Sequence, residues 1–116
     1  MGDYFIPPED LKTRLESGTS LLILDVRKRA AFDESGEMIP GARWRDPFEI
    51  TNWIGDIDTG NPLIVHCVHG HEVSQNAART LCDAGFDVTV LEGGFEAWRE
   101  AGFDLAPAKE NDVSGI

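Results

Sequence analysis

The sequence predicts an α/β fold in which a mainly parallel sheet of about five strands carries helices on both faces. Three short, mostly apolar runs at 21–24, 63–66 and 88–91 have the length of strands that are buried on both faces. Helical patterns separate these runs, and such an alternation is typical of a parallel sheet between two layers of helices. Ligands of these sheets bind beyond the carboxyl ends of the strands, so we expect the functional residues there.

The first part of the chain predicts a short strand, a helix and the first buried strand. The strand is expected at 4–6, and Pro7–Pro8 marks a helix start, since proline is tolerated in the first turn of a helix. Gly18 ends this helix, because glycine readily adopts the left-handed conformation found at helix ends. The buried strand at 21–24 follows, and a short polar helix is expected over 28–35.

The middle and the end of the chain supply the remaining elements. Residues 38–42 predict a turn into a brief strand, and Asp46 is expected to cap a helix with Pro47 at its first position. Apolar residues recur at helical spacing over 73–84, which is the strongest helix in the sequence. A last helix is predicted over 95–101.

Length and composition favour one domain over residues 1–103 and a flexible tail over 104–116. A chain of 116 residues suits a single modest core, and the tail has little apolar content. No apolar run approaches the about 20 residues that a membrane span needs, and the N-terminal residues lack the pattern of a signal peptide. Two cysteines do not make a disulfide framework, so a reducing cytoplasm is the expected location.

The charge distribution excludes some partners and favours others. A formal net charge of −11 argues against nucleic acid and against an anionic membrane surface. Half of the ten basic residues nevertheless fall within nineteen positions, namely Arg27, Lys28, Arg29, Arg43 and Arg45. A solvated face is the simple explanation of such a run. The alternative is a cationic rim for small anions, because Arg27, Arg43 and Arg45 follow predicted strand ends.

A cysteine stands where a predicted strand meets a predicted helix. The strand ends at Cys67, a loop with Gly70 at its centre follows, and the helix begins near Val73. Such a loop directs backbone N–H groups inward as an anion-binding nest, and a helix N-terminus adds partial positive charge. Both favour the thiolate, which is the nucleophilic form. A buried structural cysteine is the alternative, and that is the role we predict for Cys82 in the middle of its helix.

Three stretches of the chain resemble the signatures of the rhodanese family of sulfurtransferases and follow one another in the order found in that family. The resemblance covers nearly all of residues 4–103. The first runs from Asp25-Val26-Arg27 through Phe32 to the segment 39–42. The second is the six-residue loop 67–72, which begins with cysteine and has glycine fourth. The third is the segment 92–98. Two departures stand out: two residues rather than one separate Gly36 from Ile39, and Glu72 closes the loop where many active members have arginine or a small polar residue.

The resemblance implies a rhodanese-like fold and a sulfurtransferase that needs no metal or organic cofactor. Cys67 would take a sulfane sulfur from a small anionic donor such as thiosulfate, become a persulfide, and pass the sulfur to cyanide or a thiol, for example that of a thioredoxin-like protein. Asp25 and Arg27 would form a structural ion pair, and Phe95 and Trp98 would belong to the core. The predicted substrate-binding residues are Val68, His69, Gly70, His71, Glu72 and Val73 of the loop, and Arg27, Arg43 and Arg45 of the rim.

Two rival activities use the same residues. Phosphate monoester hydrolysis on a related architecture needs an arginine in a Cys-x5-Arg loop, and no arginine lies in this loop. Metal binding is suggested by His66, His69 and His71 around Cys67, since imidazole and thiolate bind zinc or copper. Alternation along the strand directs His66 away from Cys67, however, and a tight loop directs its side chains outward. We therefore expect the histidines to project towards solvent or a partner and to form no tight metal site.

A third possibility is a rhodanese-like module without catalytic activity that binds a protein partner or senses a metal. Cys67 argues against this module, because the resemblance implies that inactive members lack the cysteine. Glu72 argues for such a module, because many active members have arginine or a small polar residue at this position.

Overall fold

The computed structural model describes residues 5–57, 60–69 and 72–108. The strands are β1 (Phe5–Ile6), β2 (Leu22–Asp25), β3 (Glu37–Met38), β4 (Arg43–Trp44), β5 (Leu63–His66), β6 (Val88–Leu91) and β7 (Ala106–Pro107). The helices are α1 (Pro8–Glu16), α2 (Arg29–Ser35), α3 (Ile50–Trp53), α4 (Glu72–Asp83) and α5 (Gly94–Glu100), and a 3₁₀ turn (Ile54–Asp56) follows α3.

The main sheet has five parallel strands in the order β1-β6-β5-β2-β4. The predicted α/β fold with about five strands is therefore confirmed. β5 lies at the centre, where Leu24 of β2 pairs with Val65 and Thr89 of β6 pairs with Ile64. The short strands β3 and β7 form a separate antiparallel pair. The central position of β5 brings the residues that follow it to the middle of the carboxyl edge.

Successive residues of the central strands face opposite helix layers. Ile64 belongs to a cluster that contains residues of α1, α2 and α5, whereas Val65 belongs to a cluster with residues of α3 and α4. Ile23 and Leu24 of β2 divide between the same two clusters. This alternation follows from the period of two along a strand, and it confirms helices on both faces of the sheet. Phe95 and Trp98 are buried in the first cluster, as predicted.

The helix predicted to begin at Asp46 and Pro47 is wrong in its position, because α3 begins at Ile50. The Asp46 side chain accepts the N–H of Phe48 at 2.9 Å, which is the turn-forming use of an aspartate rather than a helix cap. The Asp46 carbonyl also accepts the indole N–H of Trp53 at 2.8 Å. The aspartate thus closes a turn, and the turn is tied to the short helix that comes after it.

The first residues of the predicted tail, 104–108, make contacts with the rest of the chain. Ala106–Pro107 pairs with β3, and the N–H of Ala108 donates to the Gly36 carbonyl at 3.0 Å. The indole N–H of Trp98 donates to the Asp104 carbonyl at 2.8 Å. The apolar residues of this segment, including Leu105, pack on the core cluster that contains residues of α1 and α5. The flexibility of the tail over 104–116 stays a prediction. Residues 109–116 lie outside the described residues.

Cys82 is exposed on α4, so its predicted packing role is wrong. The buried side of α4 is formed by Ser74, Ala77, Ala78 and Leu81. Cys82 follows Leu81 by one position, which is a rotation of about 100° around a helix. Within the described parts of the chain, none of the helices has the length and apolar content that crossing a bilayer requires.

Candidate active site

Cys67 lies at the carboxyl end of β5, where it borders a cavity of about 290 Å³. Three segments form the walls of this cavity: the β2–α2 connection with Lys28, the loop after β5 with Val68, and the first turn of α4 with Glu72 and Val73. Parallel strands bring these segments together because their carboxyl ends share one edge of the sheet. The predicted cysteine therefore has a space beside it that suits a small ligand.

The side chain of Cys67 is nearly buried. The residue is 6 % exposed, and its Sγ donates to the hydroxyl oxygen of Ser74 at 3.2 Å. Ser74 is fully buried in the first turns of α4. Cys67 is thus a nearly buried thiol that borders the cavity and contacts the first turns of α4.

The start of the loop is fixed by the N-terminus of α5. The N–H groups of Phe95 and Glu96 donate to the carbonyls of Cys67 and Val68 at 2.8 and 3.0 Å. This arrangement depends on Gly93, which has a φ of +75° and precedes α5. A Cβ on Gly93 would lie 2.5 Å from the Cβ of Ala97, so only glycine fits. The glycine pair of the third signature thereby holds the backbone around the cysteine.

Asp25 and Arg27 form a buried ion pair beside the cavity, which Arg27 borders. The Arg27 Nη2 donates to Asp25 Oδ2 at 2.6 Å, its Nε donates to Oδ1 at 3.0 Å, and the two residues are 1 % and 0 % exposed. Arg27 also donates to the Ser35 hydroxyl and the Glu37 carbonyl, both at 2.9 Å. Its guanidinium carbon lies 4.1 Å from the ring centroid of Phe95. The structural ion pair is confirmed. Arg27 also borders the cavity, although its side chain is almost fully buried, and its role in substrate binding stays a prediction.

Arg43 and Arg45 are not among the described residues that border the cavity. They lie at the end of β4, which is separated from β5 by β2. Neighbouring strands are about 4.8 Å apart, so the two backbones are about 10 Å apart. The Arg45 Nη1 donates to the adjacent Trp44 carbonyl at 2.9 Å. The roles of Arg43 and Arg45 as rim cations stay predictions, because the sequence does not reveal that β2 lies between β4 and β5.

Lys28 is the cationic residue that sequence reasoning missed at this site. It is exposed and borders the cavity, and its Nζ lies 6.0 Å from the ring centroid of Phe48. The signal was available, because Lys28 belongs to the basic run and follows the end of β2. Its neighbour Arg27 borders the same cavity but is almost fully buried, whereas Lys28 is exposed.

Of the predicted loop residues, four are described at the cavity: Val68, His69, Glu72 and Val73. Gly70 and His71 lie outside the described residues, so the inward-facing amides of the loop remain a prediction.

Among the described residues, no group of three histidine, cysteine, aspartate or glutamate side chains has the geometry of a metal site. Because His71 is outside that search, the absence of a tight metal site also remains a prediction.

The comparison with known proteins decides the family. The sequence model of the rhodanese-like domain matches residues 7–101. The chain belongs to the rhodanese-like domain family. Two curated relatives, each named thiosulfate sulfurtransferase GlpE, are 40 % identical to it. The one from Shewanella oneidensis aligns over 89 residues, which are 76 % of this chain and 85 % of the relative. The one from Stutzerimonas stutzeri aligns over 95 residues, which are 81 % of this chain and 83 % of the relative.

Solved structures show the same fold. A rhodanese-related protein from Thermoplasma volcanium superposes with a TM-score of 0.76 at 23 % identity, covering 87 % of this chain and 95 % of that one. A rhodanese-like domain protein from Staphylococcus aureus has a TM-score of 0.72 at 25 % identity, covering 81 % and 89 %. The rhodanese-like resemblance seen in the three signatures is therefore confirmed.

His66 of this rhodanese-like domain is buried next to the ion pair. The expectation that all histidines project outward is wrong for His66, because its ring stacks on Phe95 with centroids 6.2 Å apart. Burial lowers the pKa of His66 from the ordinary 6.5; Arg27 lowers it as well, and Asp25 and the Cys67 carbonyl act in the opposite sense. Its Nε2 has no hydrogen-bond partner among the described residues. The folded protein therefore holds His66 neutral near neutral pH.

A lowered pKa at His66 predicts that acid destabilises the fold. Below pH 6.5, His66 of the unfolded chain takes up a proton, whereas His66 of the folded chain stays neutral to lower pH. The free energy of unfolding therefore decreases as the pH falls below 6.5. One such proton gives a slope of at most about 1.4 kcal/mol per pH unit. Urea unfolding between about pH 5 and 7.5 should show this slope, and His66→Met should remove it. Equal slopes in the two proteins would show that His66 does not cause the loss.

Proposed function

We propose that this protein is a rhodanese-type sulfurtransferase that carries a sulfane sulfur as a persulfide on Cys67. The proposal is carried by the position of that cysteine, which borders a small cavity at the carboxyl end of the central strand. It is supported by relatives 40 % identical that are named thiosulfate sulfurtransferases. Thiosulfate is accordingly the donor that we assign.

The reaction takes two displacements at sulfur. In the first, the Cys67 thiolate attacks the sulfane sulfur of thiosulfate, the S–S bond of the donor breaks, and sulfite leaves with the electron pair. In the second, cyanide or a thiolate attacks the outer sulfur of the persulfide. The bond between that sulfur and Cys67 Sγ breaks, and the Cys67 thiolate is restored with the pair. Nucleophile and leaving group are the same atom, so its environment affects both steps.

Two exposed charges flank the path of the donor. Lys28 and Glu72 both border the cavity. A unit charge about 6 Å away contributes roughly 1–3 kcal/mol at effective dielectric constants of 80 to 20, and thiosulfate carries two charges. Solvent screening reduces this contribution for exposed side chains. Lys28 attracts an anionic donor and Glu72 repels it, so we expect Glu72 to weaken thiosulfate binding relative to an uncharged residue at this position.

Neutralising these two charges is expected to change the KM for thiosulfate in opposite directions. Glu72→Gln should lower KM several-fold, Glu72→Arg should lower it further, and Lys28→Met should raise it several-fold. The effects should shrink in high salt, because screening weakens interactions between exposed charges. Glu16→Gln, an exposed change on α1, serves as the matched control. Equal KM values in all the variants would mean that neither side chain faces the donor and that Glu72 serves the N-terminus of α4 alone.

The acceptor is proposed on chemical grounds. A cavity of about 290 Å³ admits cyanide or a small thiol, and an exposed entrance also admits the cysteine of a thioredoxin-like protein. A reducing cytoplasm is the proposed location, since both a free Cys67 and an exposed Cys82 persist as thiols there. A non-catalytic binding module is less favoured, because the chain keeps its cysteine and resembles named enzymes.

Turnover with thiosulfate and cyanide tests the proposal. The purified protein should release thiocyanate and sulfite in equal amounts, and it should not hydrolyse an aryl phosphate. Metal chelation before the assay should leave the rate unchanged. If no sulfane donor gives turnover, the protein is not a sulfurtransferase. If turnover depends on zinc or copper, the metal-binding alternative takes its place.

A further inference from the structure

Ser74 is the one hydroxyl residue among the buried polar residues of the described chain; the others are Asp25, Arg27 and His66. It lies on the buried side of α4, together with Ala77, Ala78 and Leu81. Packing alone does not require a hydroxyl there, since the neighbouring positions on this side include two alanines. A buried hydroxyl needs a hydrogen-bond partner, and the Cys67 sulfur lies 3.2 Å from it.

We propose that Ser74 positions the reactive sulfur of Cys67 and stabilises it whenever it carries negative charge; this inference rests on the proposed function. In the resting thiol, the S–H donates to the Ser74 oxygen. When the thiol loses its proton, the hydroxyl rotates and donates to the sulfur. Hydrogen bonds to a charged acceptor are roughly twice as strong as neutral ones, so the exchange favours the thiolate.

The same hydroxyl serves the second displacement. In the persulfide, the negative charge lies mainly on the outer sulfur, and Cys67 Sγ is bonded to it. As the acceptor attacks the outer sulfur, the S–S bond breaks and the electron pair returns to Sγ. The Ser74 hydroxyl then donates to a leaving thiolate. Ser74 thereby acts through Cys67 in both half-reactions and needs no contact with the donor.

The test separates the two chemical roles from a merely structural one. The variants are Ser74→Ala, Ser74→Thr and the control Thr13→Ala, which removes an exposed helix hydroxyl that donates to a backbone carbonyl. The alkylation rate of Cys67 is followed against pH by mass spectrometry in each protein. Single-turnover transfer from the preformed persulfide to a small thiol is measured separately, and thermal unfolding verifies that each variant is folded.

In Ser74→Ala the midpoint of the alkylation profile should rise by about one pH unit, which is a loss of roughly tenfold in thiolate at neutral pH. Persulfide transfer should slow by about the same factor. Ser74→Thr, which keeps the hydroxyl, and Thr13→Ala should match the wild type in both measurements. An unchanged profile and transfer rate in folded Ser74→Ala would overturn the inference. Failure of the wild type to take up sulfur would instead overturn the proposed function, because alkylation does not depend on sulfur transfer.

Discussion

Cys67→Ser is expected to abolish sulfur transfer, with turnover falling to the rate of the uncatalysed reaction. A serine hydroxyl stays protonated near neutral pH and forms no persulfide, so neither displacement has a nucleophile or a leaving group. The substitution is nearly isosteric, and the new hydroxyl remains within reach of Ser74, so the fold should persist. Thiocyanate formation from thiosulfate and cyanide measures the activity, and thermal unfolding verifies the fold.

The chain offers a matched control for this variant. Cys82 is the other cysteine, and it is exposed on α4 rather than at the cavity. Cys82→Ser should therefore keep the wild-type rate. Substantial turnover by Cys67→Ser, or its loss in Cys82→Ser, would mean that the sulfur carrier has been misassigned.

Arg27→Leu is expected to give the largest loss of stability among single changes near the site. Removing the guanidinium leaves the Asp25 carboxylate fully buried without its cation, and the Glu37 carbonyl loses a donor. Removing one partner of a buried pair typically costs about 3–5 kcal/mol. Urea unfolding at neutral pH measures the free energy of unfolding. Arg29→Leu is the matched control, because it removes an exposed pair with Asp33 that contributes about 1 kcal/mol or less.

A double variant distinguishes a buried charge from lost packing. When Asp25 and Arg27 are both replaced by leucine, no unpaired charge remains, and much of the lost stability should return. If Arg27→Leu costs no more than Arg29→Leu, the pair does not stabilise the core around the site. If the double variant is as unstable as the single one, the guanidinium acts mainly by packing between Phe32 and Phe95.

The layers of the fold were predictable from local patterns. A strand buried on both faces has to be apolar, so Leu63–His66 and Val88–Leu91 were visible in the sequence without any knowledge of their partners. The helix α4 was predicted within one residue of Glu72–Asp83, because its apolar spacing is regular. Cys67 was predicted at the strand end for the same reason: the strand before it and the helix after it are both strongly patterned.

What the sequence does not predict is the order of the strands and the packing between distant segments. Arg43 and Arg45 were assigned to the site because they follow a strand, but the inserted β2 separates them from Cys67. The local pattern does not distinguish Lys28, which is exposed, from Arg27, which is buried, although both border the cavity. The contact between Cys67 and Ser74 requires α4 to fold back over β5. The distance between the two side chains therefore cannot be predicted from the local sequence pattern.

The most direct test of the account is the intact mass of the protein before and after incubation with thiosulfate, followed by peptide mapping. We expect a gain of one sulfur atom that is located on Cys67, is removed by dithiothreitol or cyanide, and is absent in Cys67→Ser. A protein that gains no sulfur, or gains it on Cys82 alone, would contradict the assignment of Cys67 as the sulfur carrier.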